Sequence, residues 1–242
     1  MIWSHYLLQV NIYLVVFYAF YRLLLDKETY FTLNRIFLIC SGIFSLAIPF
    51  MRVDWFSKQE ISQQIYVQVE QLNQFIVQTG TEAVEQKFNW GNVIVMIYLL
   101  GVAFFLIRFT LQLLAVKKML KGIKSGLAFS FWKKKVVAQN LPEVATVNHH
   151  EDIHIKQLHT FDVIFFELLG IITWFNPIIY LYKETVKSIH EFLADEAAAK
   201  FQGDKEAYSM LLLNQAFGVN VNTLTNGFFK KSMIKKRIFM LH

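Results

Sequence analysis

Residues 147–162 read VNHHEDIHIKQLHTFD and hold four of the chain's seven histidines together with Glu151, Asp152 and Asp162. Within this stretch His150-Glu151-Asp152-Ile153-His154 is an H-E-x-x-H. On a helix, positions i and i+4 share a face, so both imidazoles can reach one metal ion, and Glu151 lies where it can take a proton from an attacking water. Zinc suits such a set: two histidine nitrogens, a third protein ligand and an open fourth position for a water whose pKa falls to about 7. Downstream, HEFLADEAAA offers Glu191 and, four residues on, Asp195. Two readings of that pair stand side by side. One carboxylate binds the metal while the other hydrogen-bonds a ligand histidine, fixing its ring; or both acids lie on the solvated face of an Ala-rich helix. The order H-E-x-x-H then E-x-x-x-D favours the first.

These side chains sit in a chain with little surface to offer water. Of 242 residues, 55% are hydrophobic and only 17% charged, against about 25% charged in soluble domains. That points to a membrane and excludes disorder for most of the length. The net charge of +6 raises nucleic acid as a partner, but lysines and arginines gathered on the inner loops of a membrane protein account for it, so no nucleic-acid partner is expected. Cys40, the single cysteine, lies in an apolar run and reads as a packing residue.

Three apolar runs have the length of a bilayer span, roughly 20 residues: about 5–25, 34–51 and 92–116, the first two joined by the short polar DKETYFTLN as a helical hairpin. A signal peptide is the weaker reading of the first, which has no basic region before it and no small-residue cleavage site after it. Residues 52–90 form a polar, Gln-rich loop in which EISQQIYVQVEQLNQFIVQ fits a surface amphipathic helix. Arg108, inside the third run, snorkels to the membrane surface or pairs within the bundle. Seven lysines fall between 117 and 135 with no acid among them. The positive-inside rule then puts 117–159 and 22–35 in the cytoplasm, and 52–90 and the N-terminus outside. A fourth apolar run, 161–182, carries Asp162, Glu167 and the helix-breaking Asn176-Pro177. It reads as a bent helix or hairpin that dips into the membrane or lies on it. Residues 183–216 read as soluble helix, and the basic FFKKSMIKKRIFMLH as the approach to a further span.

The stretch HHEDIHIKQLHTFDVIFFELLGIITWFNPIIYLYKETVKSIHEFLADEAA resembles the core of the BlaR/MecR-type membrane metallopeptidases, the antibiotic-sensor transducers and their relatives. These share H-E-x-x-H, H-x-x-D, an apolar stretch with W-F-N-P, and E-x-x-x-D. The variant with KQLHTFD and HEFLAD looks like the form found in Bacteroidetes-type bacteria. The resemblance implies that His150, His154 and Glu191 are zinc ligands, Glu151 the general base, and Asp195 an outer partner of the site. His159 and Asp162 fit the same pattern. Asp162, eight residues after His154 and about two turns along the same face, is either a supporting hydrogen-bond partner or a helix-end cap. His149 and His190 receive no role. The penicillin-binding sensor domain is not supported, because Ser130-Phe131-Trp132-Lys133 and Ser232-Met233-Ile234-Lys235 lack the later partner motifs.

The fold expected is an all-α membrane protein with three to four transmembrane helices, three of them in 1–116 and 161–182 the candidate fourth, and with a cytoplasmic or membrane-associated helical zinc-peptidase core of the glutamate-ligand type in 117–242. Its place is the bacterial inner membrane, multi-pass, with the N-terminus outside and the zinc site on the cytoplasmic side. The function expected is a zinc-dependent endopeptidase that answers an external stimulus by cleaving a cytoplasmic regulator or itself. The alternative is a non-enzymatic transducer that keeps the peptidase fold; a small transporter, with Arg108 and Glu167 as intramembrane charges, is a third reading. The partners expected are the bilayer, a protein or peptide substrate and, as an option, a second copy in a homodimer.

Overall fold

A computed structural model of the chain describes residues 3–51, 90–120, 128–138, 141–217 and 226–241. The amphipathic helix expected within 52–90 and most of the 117–135 lysine run's middle lie outside the described residues. The described elements, in chain order, are α1 (Trp3–Leu24), α2 (Phe31–Ala47, continued by a 3-10 turn Ile48–Phe50), α3 (Trp90–Met119), β1 (Ala128–Phe131), β2 (Lys134–Val137), α4 (Val144–Lys156), α5 (His159–Ile172), α6 (Pro177–Gln202), α7 (Lys205–Phe217) and α8 (Asn226–Leu241).

Three helices are long and apolar enough to cross a membrane: Trp3–Leu24, Phe31–Phe50 and Trp90–Met119. The 161–182 segment is not one continuous helix. It is α5, then a turn at residues 173–176, then the start of α6. At 14 residues, α5 is about 21 Å long, short of the roughly 30 Å of a bilayer core. Asn176 and Pro177 make the break and also begin the next helix. The Asn176 side chain accepts the Ile178 N–H at 2.9 Å, and proline fits the first helical position, where its missing N–H is not needed.

An all-α reading needs one correction. Ala128–Phe131 and Lys134–Val137 pair as an antiparallel hairpin with Phe131 opposite Lys134. Strands of four residues are too short to show a period, and the lysines of β2 merge with the basic run before them. The two-residue turn takes Trp132 to φ 58°, as tight hairpins demand. Trp132 is fastened there by stacking on Phe161 at 4.5 Å and by its N–H, which donates to Thr160 Oγ1 at 2.9 Å.

α6 is the spine. Ile179, Tyr182, Val186 and Ile189 recur at three- and four-residue spacing and bury against Val10, Leu14 and Tyr18 of α1, Leu38 of α2 and Phe166 of α5. This single cluster therefore draws on both sides of the boundary expected at 116/117. Between apolar helices the hydrophobic effect favours no partner over lipid, so packing and interhelical hydrogen bonds carry the association. Those bonds are present: Tyr18 Oη with Thr185 Oγ1 at 3.0 Å, Ser41 Oγ with Tyr182 Oη at 3.0 Å, and Asn176 Nδ2 to Asn11 Oδ1 at 2.8 Å. Beyond this region the far end of α6 buries Ala198 and Ala199 in a second cluster with Val147 of α4, Tyr208, Leu211 and Leu212 of α7, and Leu241 of α8. α3 buries none of its side chains and touches the rest at the α5–α6 turn. There Gly101 approaches Trp174 so closely that an added Cβ would lie 2.3 Å from the indole.

Candidate metal centre

α4 carries His150, Glu151 and His154, and α6 lies against it. One turn apart, the two histidines point the same way, and their Nε2 atoms stand 3.2 Å from each other. Glu191 faces them from α6: its Oε2 is 3.8 Å from His150 Nε2 and its Oε1 3.8 Å from His154 Nε2. A tetrahedral ion with bonds of about 2.0–2.1 Å holds its donors roughly 3.3 Å apart. The separation of the two histidine nitrogens matches that spacing, and each of them is within about 0.5 Å of it from a different Glu191 oxygen, so the three side chains form a triangle converging on a space that suits a zinc-sized ion. Among the described residues this is the one group of three such donors within 4.8 Å of one another.

The free nitrogens of both rings are occupied. Asp195, one turn beyond Glu191 and fully buried, brings Oδ1 to 3.3 Å from His150 Nδ1, and Tyr208 Oη lies 3.2 Å from the same nitrogen. The Tyr208 hydroxyl donates to Asp195 Oδ1 at 2.8 Å, so its oxygen can accept only from His150. Both routes leave the hydrogen on Nδ1 and the Nε2 lone pair toward the ion. His154 Nδ1 meets His159 Nδ1 at 2.8 Å, and His159 Nε2 meets Gln157 Oε1 at 3.0 Å.

Asp162 lies elsewhere than the sequence implied. α4 ends at Lys156, and Leu158 turns the chain with φ 57°, so Asp162 is on α5 and not two turns along the ligand helix. It accepts from His190 Nε2 at 2.8 Å and from Arg35 Nε at 2.6 Å. His190, unassigned by sequence, stacks on His159 at 4.0 Å with planes 6° apart. His149 stacks on Phe201, away from the triangle. Asp152 pairs with Lys135 of β2 at 2.5 Å.

Electrostatics suit metal binding, which needs neutral imidazoles and ionised carboxylates. Burial, with the neighbouring His150, His190 and Arg237, lowers His154 to about 3, and burial lowers His159 further. For Asp195 burial works toward the acid form, but hydrogen bonds from Arg237 and His150 and the Arg237 charge win, holding the carboxyl at about 2. Asp162 is likewise held below the usual range: burial opposes ionisation, and hydrogen bonds from His190 and Arg35 outweigh it. Glu151 goes the other way. Its burial raises it, moderated by a hydrogen bond with Ser130, a direction that suits a group able to accept and return a proton.

Besides His190, sequence reasoning missed four participants. Arg237 of α8, read as part of a terminal basic cluster, grips Asp195 through Nε at 2.7 Å and reaches Glu191 Oε2 at 3.0 Å. Tyr208, Arg35 and Gln157 carry no ligand signature, and only the fold brings them near. The triangle opens into a cavity of about 840 Å³ lined by β1, by Glu151, His150 and His154, and by Glu191, Tyr208 and Arg237.

The profile of the family described as BlaR1 peptidase M56 matches residues 133–241. The match covers the candidate site residues from His150 to Arg237 and supports the BlaR/MecR-type assignment of this segment as a peptidase. Comparison with curated proteins and with solved structures found no match.

Proposed function

We propose that this chain, whose residues 133–241 are of the BlaR1 peptidase type, is a membrane-embedded zinc endopeptidase, with His150, His154 and Glu191 holding the ion and Glu151 as general base. The carrying observation is the convergence of two histidine Nε2 atoms 3.2 Å apart with the Glu191 carboxylate, one oxygen 3.8 Å from each, beside buried Glu151 in the lining of a cavity. A zinc ion there would polarise the scissile carbonyl and acidify the attacking water. Glu151 takes the proton from that water and later delivers it to the leaving amine. Asp195 and Tyr208 hold the His150 ring in register. Three protein ligands leave the fourth position to the cavity, the mark of a catalytic rather than a structural zinc.

A peptide is the substrate the cavity favours. β1 lines it, and among the described residues β1 pairs with β2 alone, so an extended segment can add to its other edge. The site stands at the 25–30 end of the α1–α2 hairpin, where Arg35 reaches Gln157 and the Phe31 ring packs, tilted, against Phe192 at 5.3 Å. The charge distribution along the chain favours the cytoplasm for that end. We therefore take the substrate to be a cytoplasmic or membrane-anchored regulator, or the chain itself, cut in response to an external stimulus felt through the spanning helices.

The test is cleavage of an unstructured protein such as casein by the full chain in detergent, with Glu151→Gln alongside. The expected result is chelator-sensitive cleavage that zinc restores, and at least a hundredfold loss in the variant with its zinc retained. Undiminished cleavage by Glu151→Gln would remove the catalytic assignment.

A further inference from the structure

Arg35 belongs to α2, a helix apolar enough to span a bilayer, yet its guanidinium reaches the break between α4 and α5. Nη2 donates to the Gln157 carbonyl at 2.6 Å, Nη1 to Gln157 Oε1 at 3.3 Å, and Nε to Asp162 Oδ2 at 2.6 Å. A guanidinium offers donors only. The Gln157 amide must therefore turn its oxygen to Arg35, because the flipped amide would set its own N–H groups against the guanidinium. That oxygen is also 3.0 Å from His159 Nε2. An amide oxygen only accepts, so His159 Nε2 carries the hydrogen and the neutral ring leaves Nδ1 bare. His159 Nδ1 lies 2.8 Å from His154 Nδ1, so His154 donates from Nδ1. Its Nε2, turned toward His150 and Glu191, is then an unprotonated lone pair, which a metal requires.

We propose that Arg35 is a positioning residue of the metal centre: from a membrane-spanning helix it sets, through Gln157 and His159, the tautomer in which His154 can bind the ion. His190, stacked on His159 and bonded to Asp162, holds the ring plane while Arg35 fixes the hydrogens. Arg35 withdrawn from Gln157 releases the amide. Once flipped, its N–H faces His159 Nε2, every donor and acceptor along the path inverts, and a hydrogen arrives on His154 Nε2. The site loses a ligand lone pair although no ligand has moved. A displacement of the α1–α2 hairpin thus has a route to the chemistry.

The inference rests on the reading of His150, His154 and Glu191 as ligands, but its first test needs no metal. The full chain, labelled with 15N-histidine and freed of metal in detergent, reports the tautomer of His154 by long-range 1H–15N correlation, with His154→Ala identifying the signals. The expected result is a protonated Nδ1 and a bare Nε2 in wild type. Arg35→Lys keeps a positive charge beside Asp162 but cannot present a fork to both Gln157 oxygens, and it gives a mixed or inverted pattern. Gln157→Leu gives the same loss without touching α2, which covers the case of an Arg35 variant that does not fold. Gln157→Glu, whose carboxylate only accepts, keeps the wild-type pattern. In competition with a chromophoric chelator, zinc affinity falls about 10- to 100-fold in Arg35→Lys and Gln157→Leu, and by no more than a few-fold in Gln157→Glu. A protonated Nε2 on His154 in wild type, or an unchanged tautomer in both Arg35→Lys and Gln157→Leu, overturns the proposal. A wild-type chain that binds no zinc overturns the metal reading instead, and the spectra still decide the hydrogen-bond path.

Discussion

Nη1 of Arg237 lies 3.0 Å from Oε2 of Glu191, so the carboxylate that faces the two histidines is already shared with a cation from α8. The same guanidinium grips both oxygens of Asp195. One arginine therefore fixes the proposed third ligand and the outer partner of His150 together. The other groups that reach Asp195 are the Tyr208 hydroxyl and the His150 ring.

Removing that arginine leaves a fully buried carboxylate with only Tyr208 and His150 as donors. Breaking one side of a buried ion pair costs about 3–5 kcal/mol. Arg237→Gln is expected to destabilise the chain by about 3 kcal/mol in thermal or denaturant unfolding in detergent. A loss under 0.5 kcal/mol would mean that the pair is not formed in solution.

Asp195 supplies a stability term with a definite pH window. Its folded carboxyl is depressed to about 2, against an unfolded value near 3.9. The term is fully present above the unfolded value and is lost as pH falls toward the folded one, about 2.5 kcal/mol in all. The metal-free wild type should lose stability between about pH 5 and pH 2 more steeply than Asp195→Asn. Parallel curves would show that Asp195 is not held ionised.

Leu158 tests the helix break that separates His154 from His159. It sits at φ 57° with 47% of its surface exposed, so its backbone matters more than its packing. A left-handed residue with a Cβ costs about 1 kcal/mol relative to glycine. Leu158→Gly should be neutral or stabilising, and Leu158→Val should cost at least about 1 kcal/mol in the same unfolding measurement. The reverse order would place the α4–α5 junction in another conformation.

What could be read in the sequence was short in range. H-E-x-x-H and E-x-x-x-D each lie within one turn of one helix, so spacing alone put His150 beside His154 and Glu191 beside Asp195. The three long apolar helices were equally visible, because a span leaves its length in the chain. Arg35 was not, for its partners lie 122 and 127 residues away, and an arginine at the start of an apolar run reads as a topology signal. Arg237 was hidden in the same way among lysines. The end of α4 escaped notice because Gln157 and Leu158 carry no glycine or proline to announce a turn, which is why Asp162 was expected on the ligand helix. The hairpin β1–β2 was missed for want of length.

Glu191 is the least ordinary of the three proposed ligands, being partly exposed and paired with Arg237, so the metal centre is most directly tested through it. The measurement is the zinc content and zinc X-ray absorption of the purified full chain, with Glu191→Ala and His154→Ala beside it. The account predicts one zinc per chain, bound by two imidazoles and a carboxylate at about 2.0–2.2 Å, and at least a hundredfold weaker binding in both variants. A chain without zinc, or one whose zinc is unaffected by the loss of Glu191, would contradict it.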